Sequence, residues 1–166
     1  MRRARRAAVI LCPAVLLFAA GSTAGRASGL PVTLEDPRDG RAVRIEPGGS
    51  LLHLVFFATW CPPCREELPR LAELEARWRG RGYRLVLVAV QNRHTAPRLS
   101  RFVADQGPPG ELLFDVDGGV QRKFAAEQLP THLLLDGKGA ELLRAGGLSR
   151  EVEQAIRERL SARSGR

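Results

Sequence analysis

The 166-residue chain is 44% hydrophobic and carries 26 basic against 18 acidic side chains, a formal charge of +8. With one Tyr, two Trp and basic residues scattered rather than clustered, this composition excludes a nucleic-acid-binding surface; the positive charge is a solvated arginine-rich exterior. The length accommodates one domain with an adequate core.

Part of the charge belongs to the start of the chain. Arg2, Arg3, Arg5 and Arg6 precede an uncharged apolar stretch from Ala7 to Ala20, and small residues follow through Ala27. This is the pattern of an export signal. The stretch is shorter than the roughly 20 apolar residues a spanning helix needs and contains Pro13, which favours a removable signal, cut after Ala24, over a membrane tether through residues 7–20. The tandem arginines lack the fuller motif of a twin-arginine signal. Residues 1–27 are therefore read as signal peptide or anchor and residues 28–166 as the folded domain. Without the four signal arginines, 22 basic residues face 18 acidic ones, a mild +4. Cys12 lies inside the signal stretch and reads as an apolar filler rather than a lipid attachment point, so the processed protein carries only Cys61 and Cys64.

In chain order, Pro31 to Leu34 and Arg41 to Ile45 flank a turn-rich segment and predict a short hairpin ahead of the main sheet. Leu51 to Ala58 is an apolar run broken only by His53, which suits a central parallel strand buried on both faces. Pro62 to Trp78 predicts a helix with Leu68, Leu71, Leu74, Glu75 and Trp78 at helical spacing, ended by Gly80 and Gly82. A strand over Tyr83 to Val90, a helix over Thr95 to Gln106, a short strand over Glu111 to Phe114 and a short helix over Gly118 to Ala126 follow. Thr131 to Leu135 and Ala140 to Arg144 bracket the Asp136-Gly137-Lys138-Gly139 turn as a hairpin. A final helix runs to about Leu160 with Ser149 as its N-cap. This alternation predicts an α/β fold, a mixed central sheet flanked by helices with an N-terminal β-hairpin extension.

The chemistry is carried by Cys61-Pro62-Pro63-Cys64 at the junction of the buried strand and the helix. A cysteine at a helix N-terminus faces unpaired amide N–H groups and the positive end of the helix dipole, which favour its thiolate. Cys61 is thus the candidate nucleophile, and Cys64, one turn further in, the candidate resolving thiol that attacks a mixed disulfide and releases the client reduced. Neither intervening proline has an N–H to stabilise the Cys61 thiolate, which favours the disulfide and makes the couple a comparatively good reductant. A zinc half-site needs two further ligands, and His53, His94 and His132 lack metal-type spacing. A purely structural bridge is a poor alternative, because closing so short a loop removes little chain entropy.

Phe56-Phe57-Ala58-Thr59-Trp60-Cys61-Pro62-Pro63-Cys64-Arg65-Glu66-Glu67-Leu68-Pro69, with Leu129-Pro130-Thr131 far downstream, resembles the TlpA/ResA/CcmG-like branch of the thioredoxin superfamily, from about Leu30 to about Leu160. The resemblance implies a thioredoxin-like fold and an extracytoplasmic, periplasmic thiol-disulfide oxidoreductase, often tethered to the inner membrane. It implies a cis bond before Pro130, with Leu129, Pro130 and Thr131 forming a substrate platform on which the Leu129 backbone pairs with the client. It gives Glu67 the role of proton acceptor or pKa tuner for Cys64, with Glu66 solvated, and gives Trp60 that of shielding the disulfide and touching substrate.

Two positions depart from the family. Val55 stands where thioredoxin has a buried acid, so proton transfer through that strand is not expected, which puts more weight on Glu67. His132 replaces a residue that is usually Thr; it is read first as a packed or surface histidine, and second as a modulator of the thiols. His53 and His94 are given structural roles.

The resulting expectation is a protein-disulfide reductase without cofactor or metal. It would take electrons from a membrane donor of the thiol-disulfide relay type and pass them to client proteins with cysteine pairs, in cytochrome c maturation or copper-site assembly. A peroxidase of the peroxiredoxin type would expect a lone peroxidatic cysteine instead. The non-enzymatic alternative is a thioredoxin-like binding or chaperone module for apo-cytochrome or metal delivery.

Overall fold

The computed structural model describes residues 29–91 and 95–164. The expectations for residues 1–27, including Cys12 and the tether over 7–20, and for His94 lie outside the described residues. Seven strands form one sheet: β1 (Val32–Glu35), β2 (Ala42–Ile45), β3 (Leu51–Phe57), β4 (Tyr83–Val90), β5 (Glu111–Asp115), β6 (Thr131–Leu135) and β7 (Glu141–Ala145), in the order β2-β1-β5-β4-β3-β6-β7. The helices are α1 (Pro62–Trp78), α2 (Ala96–Gln106), α3 (Gly119–Lys123) and α4 (Arg150–Ser164).

β3, β4 and β5 are parallel, and β6 and β7 join antiparallel beyond β3. All seven residues of β3 are buried, as expected of a strand covered on both faces. Successive side chains point to opposite faces. Phe56 packs on Phe124, just beyond α3, with ring centroids 5.9 Å apart. On the other face lie Leu51, His53 and Val55, under α1 and α4, which Arg70 and Glu153 join by a hydrogen bond.

The predicted N-terminal hairpin is present. It extends the sheet, as Glu35 of β1 bridges to Phe114 of β5. α3 is shorter than predicted: Ala125 adopts φ 48°, a left-handed conformation that ends the helix. Its start is held by buried Asp115, whose carboxylate accepts from the backbone N–H of Val120 at 3.2 Å and of Gln121 at 2.7 Å. Ser149 caps α4 as predicted, its Oγ accepting from Val152 N–H at 3.3 Å. Among the described residues no helix is long and apolar enough to cross a membrane.

Candidate functional site

The chain leaves β3 at its C-terminal edge and enters α1 within four residues, which puts Cys61 at the N-cap. Pro62 and Pro63 occupy the first helical turn, where a missing N–H costs nothing to the helix. Cys61 and Cys64 form a disulfide with Cα atoms 5.3 Å apart. Cys61 Sγ also accepts the backbone N–H of Cys64 at 3.4 Å, so with two prolines between them Cys64 supplies the amide facing the nucleophilic sulfur. Both cysteines are buried, Cys61 at 4% and Cys64 at 2% exposure, while Trp60 beside them is 41% exposed. The exposed apolar surface beside the buried cysteines is therefore the Trp60 ring.

The Leu129–Pro130 bond is cis. Register pairs Thr131 with Phe56, which sets Pro130 beside the end of β3 from which the chain runs to Cys61. Thr131 turns its hydroxyl inward and donates to the Gln128 carbonyl at 2.6 Å, closing the loop behind Leu129 and Pro130. Thr131 thus fixes the loop around Pro130 through its own backbone contact, and Leu129 is half-buried.

Glu67 lies one turn after Cys64, and residues three apart on a helix are neighbours, with Cβ atoms about 5–6 Å apart. Glu66 is exposed and Glu67 half-buried, as expected. Glu67 Oε1 accepts Leu148 N–H at 2.8 Å, from the turn before α4. Its Oε2 meets His132 Nε2, also at 2.8 Å. Burial alone would raise the Glu67 pKa, but the hydrogen bonds from His132 and Leu148 outweigh it, aided by the charges of His132 and Arg70, and hold the carboxyl below its ordinary value.

His132 is fully buried, so it is a packed residue and not a surface one, and its place in the packing is specific. Register puts it directly opposite Val55. The strand position that lacks an acid thus has a polar neighbour one strand away. His132 Nδ1 lies 3.0 Å from His53 Nε2, and His53 Nδ1 lies 2.8 Å from the Tyr83 hydroxyl. Val55 itself brings no acid to β3; the polar side chain on that face of the strand is His53, two residues earlier. Burial, with His132 as neighbour, pushes the His53 pKa well below the usual imidazole value. Burial and the charge of Glu75 push the Tyr83 phenol up.

His53 and Tyr83 are the members of this group that sequence reasoning missed. The signal was present in part: a histidine interrupting a run buried on both faces must find a polar partner. Its partners lie 30 and 79 residues away, on strands whose register no local pattern fixes. Among the described residues no cluster of His, Cys, Asp and Glu has the arrangement of a metal site.

The AhpC/TSA family model matches residues 32–140. The "Thiol:disulfide interchange protein DsbE homolog" of Paracoccus denitrificans is 35% identical over 108 residues, 64% of this chain and 55% of that protein. The "Thiol-disulfide oxidoreductase ResA" of Bacillus subtilis is 27% identical over 124 residues, 74% of this chain and 68% of that protein. The chain thus spans little more than half of the first relative and about two thirds of the second. Among solved structures, a putative DsbE from Chlorobium tepidum superposes with a TM-score of 0.69 at 24% identity, covering 82% of this chain and 94% of that one. StoA from Bacillus subtilis gives 0.65 at 23%, covering 78% and 98%. These likenesses carry the fold, which is thioredoxin-like as expected.

Proposed function

Because the chain belongs to the AhpC/TSA family and has relatives named as thiol-disulfide oxidoreductases, we propose that it is an extracytoplasmic protein-disulfide reductase working through Cys61 and Cys64. The observation that carries this reading is a cysteine pair one helical turn apart, with Cys61 at the N-cap of α1 and Cys64 behind it. In the reduced protein the Cys61 thiolate attacks a client disulfide, forming a Cys61–client bond and releasing one client thiolate. Cys64 then attacks Cys61 Sγ, re-forming the Cys61–Cys64 bond and freeing the second client thiol. Each turn oxidises one dithiol and reduces one disulfide, and a membrane donor of the thiol-disulfide relay type restores the dithiol. Trp60 and the Leu129–Pro130 edge hold the client, the first by apolar contact and the second through the Leu129 backbone.

The direction follows from the donors around Cys61. A thiolate facing the single Cys64 N–H is weakly stabilised, so the reduced form gives up its electrons readily. Clients in cytochrome c maturation or copper-site assembly fit a periplasmic reductant.

The test is a redox titration of the protein against glutathione or dithiothreitol buffers. A reversible two-electron couple below roughly −220 mV supports a reductase, and a value near those of strong oxidants reverses the flow. Replacing Cys64 with Ser separates the enzyme from a docking module for apo-cytochrome or metal. A reductase accumulates covalent client adducts on Cys61, whereas a docking module accumulates none.

A further inference from the structure

Cys61, Cys64 and Glu67 account for the exchange, yet Glu67 is met by a row of polar side chains that leads back across the sheet: His132 on β6, His53 on β3 and Tyr83 on β4. These three strands are neighbours at the centre of the sheet. Both histidines are fully buried and Tyr83 is 7% exposed. Among the described residues every buried side-chain nitrogen and oxygen has a hydrogen-bond partner.

The acceptor at the end of the row fixes where each hydrogen sits. Glu67, held below its ordinary pKa, is a carboxylate at neutral pH and can only accept. His132 therefore presents a hydrogen on Nε2. In the neutral ring Nδ1 is then bare and accepts from His53 Nε2–H, and His53 Nδ1, bare in turn, accepts from the Tyr83 hydroxyl. Which imidazole nitrogen carries the hydrogen is set by the hydrogen bond that the other one makes. Tyr83 thus sets the tautomer of His53, and His53 that of His132. Every hydrogen points toward Glu67 and no bare nitrogen faces it, so the row takes no proton from the carboxylate.

We propose that His132, backed by His53 and Tyr83, is a positioning residue for the resolving step, its Nε2–H holding the Glu67 carboxylate in place one turn behind Cys64. The proposal rests on the exchange reading above and adds to it what aims the acidic side chain. It changes no step of the exchange: no bond forms or breaks in the row, and neither proton nor electron passes along it. Each oxygen of Glu67 has its own donor, His132 Nε2–H for Oε2 and Leu148 N–H for Oε1. Two donors from different parts of the fold leave the carboxylate one orientation, whereas a single donor lets it turn about the remaining hydrogen bond. The Leu148 donor is backbone, so His132 is the side chain whose loss frees Glu67.

Three features of the surroundings suit a fixed donor. Full burial of both rings keeps water from competing for their hydrogen bonds. Burial also keeps His53 neutral, so its two nitrogens stay unlike, one a donor and one an acceptor. The Tyr83 phenol, its ionisation pushed up, keeps the hydroxyl hydrogen from which the row starts. The charged groups facing the row are few. Arg70 of α1 acts on Glu67 and is itself bonded to Glu153 of α4, Glu75 of α1 acts on Tyr83, and β7 sets the uncharged Ala145 opposite His132.

The experiment compares His132→Leu, which has no donor, with His132→Gln, whose amide donates to Glu67 and whose carbonyl accepts from His53. Reduced full-length protein is mixed with oxidised glutathione, and release of the second glutathione thiol, the step that Cys64 carries out, is timed. His132→Leu should slow that release about tenfold or more, and His132→Gln should recover most of the loss. Carbon NMR of the Glu67 carboxyl gives a second readout. With one donor fewer against its burial, Glu67 in the Leu variant should take its proton at higher pH than in the parent, and in the Gln variant it should return toward the parent. A merely structural histidine would lower stability and leave the rate and the carboxyl titration as they are. A Leu variant at the parent rate, or a Gln variant no better than Leu, overturns the proposal. Should the variants fail to fold, nitrogen NMR of the parent decides: His132 and His53 should both carry hydrogen on Nε2 at neutral pH, and a bare Nε2 on His132 overturns the proposal. The redox titration of the same sample separates the two readings. A missing reversible couple defeats the exchange reading, and a reversible couple with a Leu variant at the parent rate defeats the positioning alone.

Discussion

Glu67 receives two hydrogens at once, from the backbone of Leu148 and the ring of His132, and it does so from one turn behind a redox cysteine. Cutting it to alanine leaves both donors without their acceptor in a half-buried site. Glu67→Ala should therefore cost about 1–3 kcal/mol in thermal or denaturant unfolding. The same variant should slow resolution of a Cys61 mixed disulfide about tenfold to a hundredfold, read from the rate of client release. A loss of stability with unchanged resolution would leave Glu67 a structural anchor for the turn before α4. At this scale the sequence was readable where spacing along one helix does the placing, as for Cys61, Cys64 and Glu67. It was not readable for His53 and Tyr83, whose meaning depends on which strand lies beside which. Val55 is the instructive position: its missing acid was visible, but the histidine opposite it stands on β6, paired through a register known only from the fold.

Among the elements, α1 and its entry carry the chemistry. The apolar run over β3, the helix over Pro62–Trp78 and the strand over Tyr83–Val90 all match the elements predicted from periodicity, because strong burial patterns and glycine stops agree there. What local pattern could not give was the position of the N-terminal hairpin, since a hairpin's own sequence fixes its turn and not the edge on which it docks. The first turn of α1 also makes a prediction. Pro63→Ala restores an N–H at the second helical position, where it can reach a capping side chain. That donor stabilises the Cys61 thiolate and with it the reduced form. The couple should become more oxidising by about 30 mV, the equivalent of about 1.4 kcal/mol for two electrons. A redox titration of the variant beside the parent checks it, and a shift toward more negative potential would refute the donor argument.

For the molecule as a whole, His53, buried at the centre of the sheet, ties folding to pH. His53 is neutral in the native protein because burial opposes its charge, whereas in the unfolded chain it titrates at its ordinary value near 6.5. Below that pH the unfolded chain binds a proton that the native protein does not, so stability falls as the pH falls. The slope from this group alone approaches about 1.4 kcal/mol per pH unit once the unfolded histidine is protonated, and it continues until the native ring is also forced to charge. Glu67 acts in the same direction but lower. Its native pKa lies below the ordinary 4.5, so its contribution is complete above that value and is lost as the pH drops through the native one. Acid unfolding should thus begin near pH 6, well above the carboxylate range, and steepen again below about pH 4.5 as Glu67 is protonated. Denaturant melts at closely spaced pH values measure this directly. His53→Gln, which can still bond to His132 and Tyr83 but does not titrate, should flatten the upper limb and leave the lower one. A parent protein whose stability stays level from pH 7 to about pH 5 would mean that His53 is charged, or free to become so, in the native sheet.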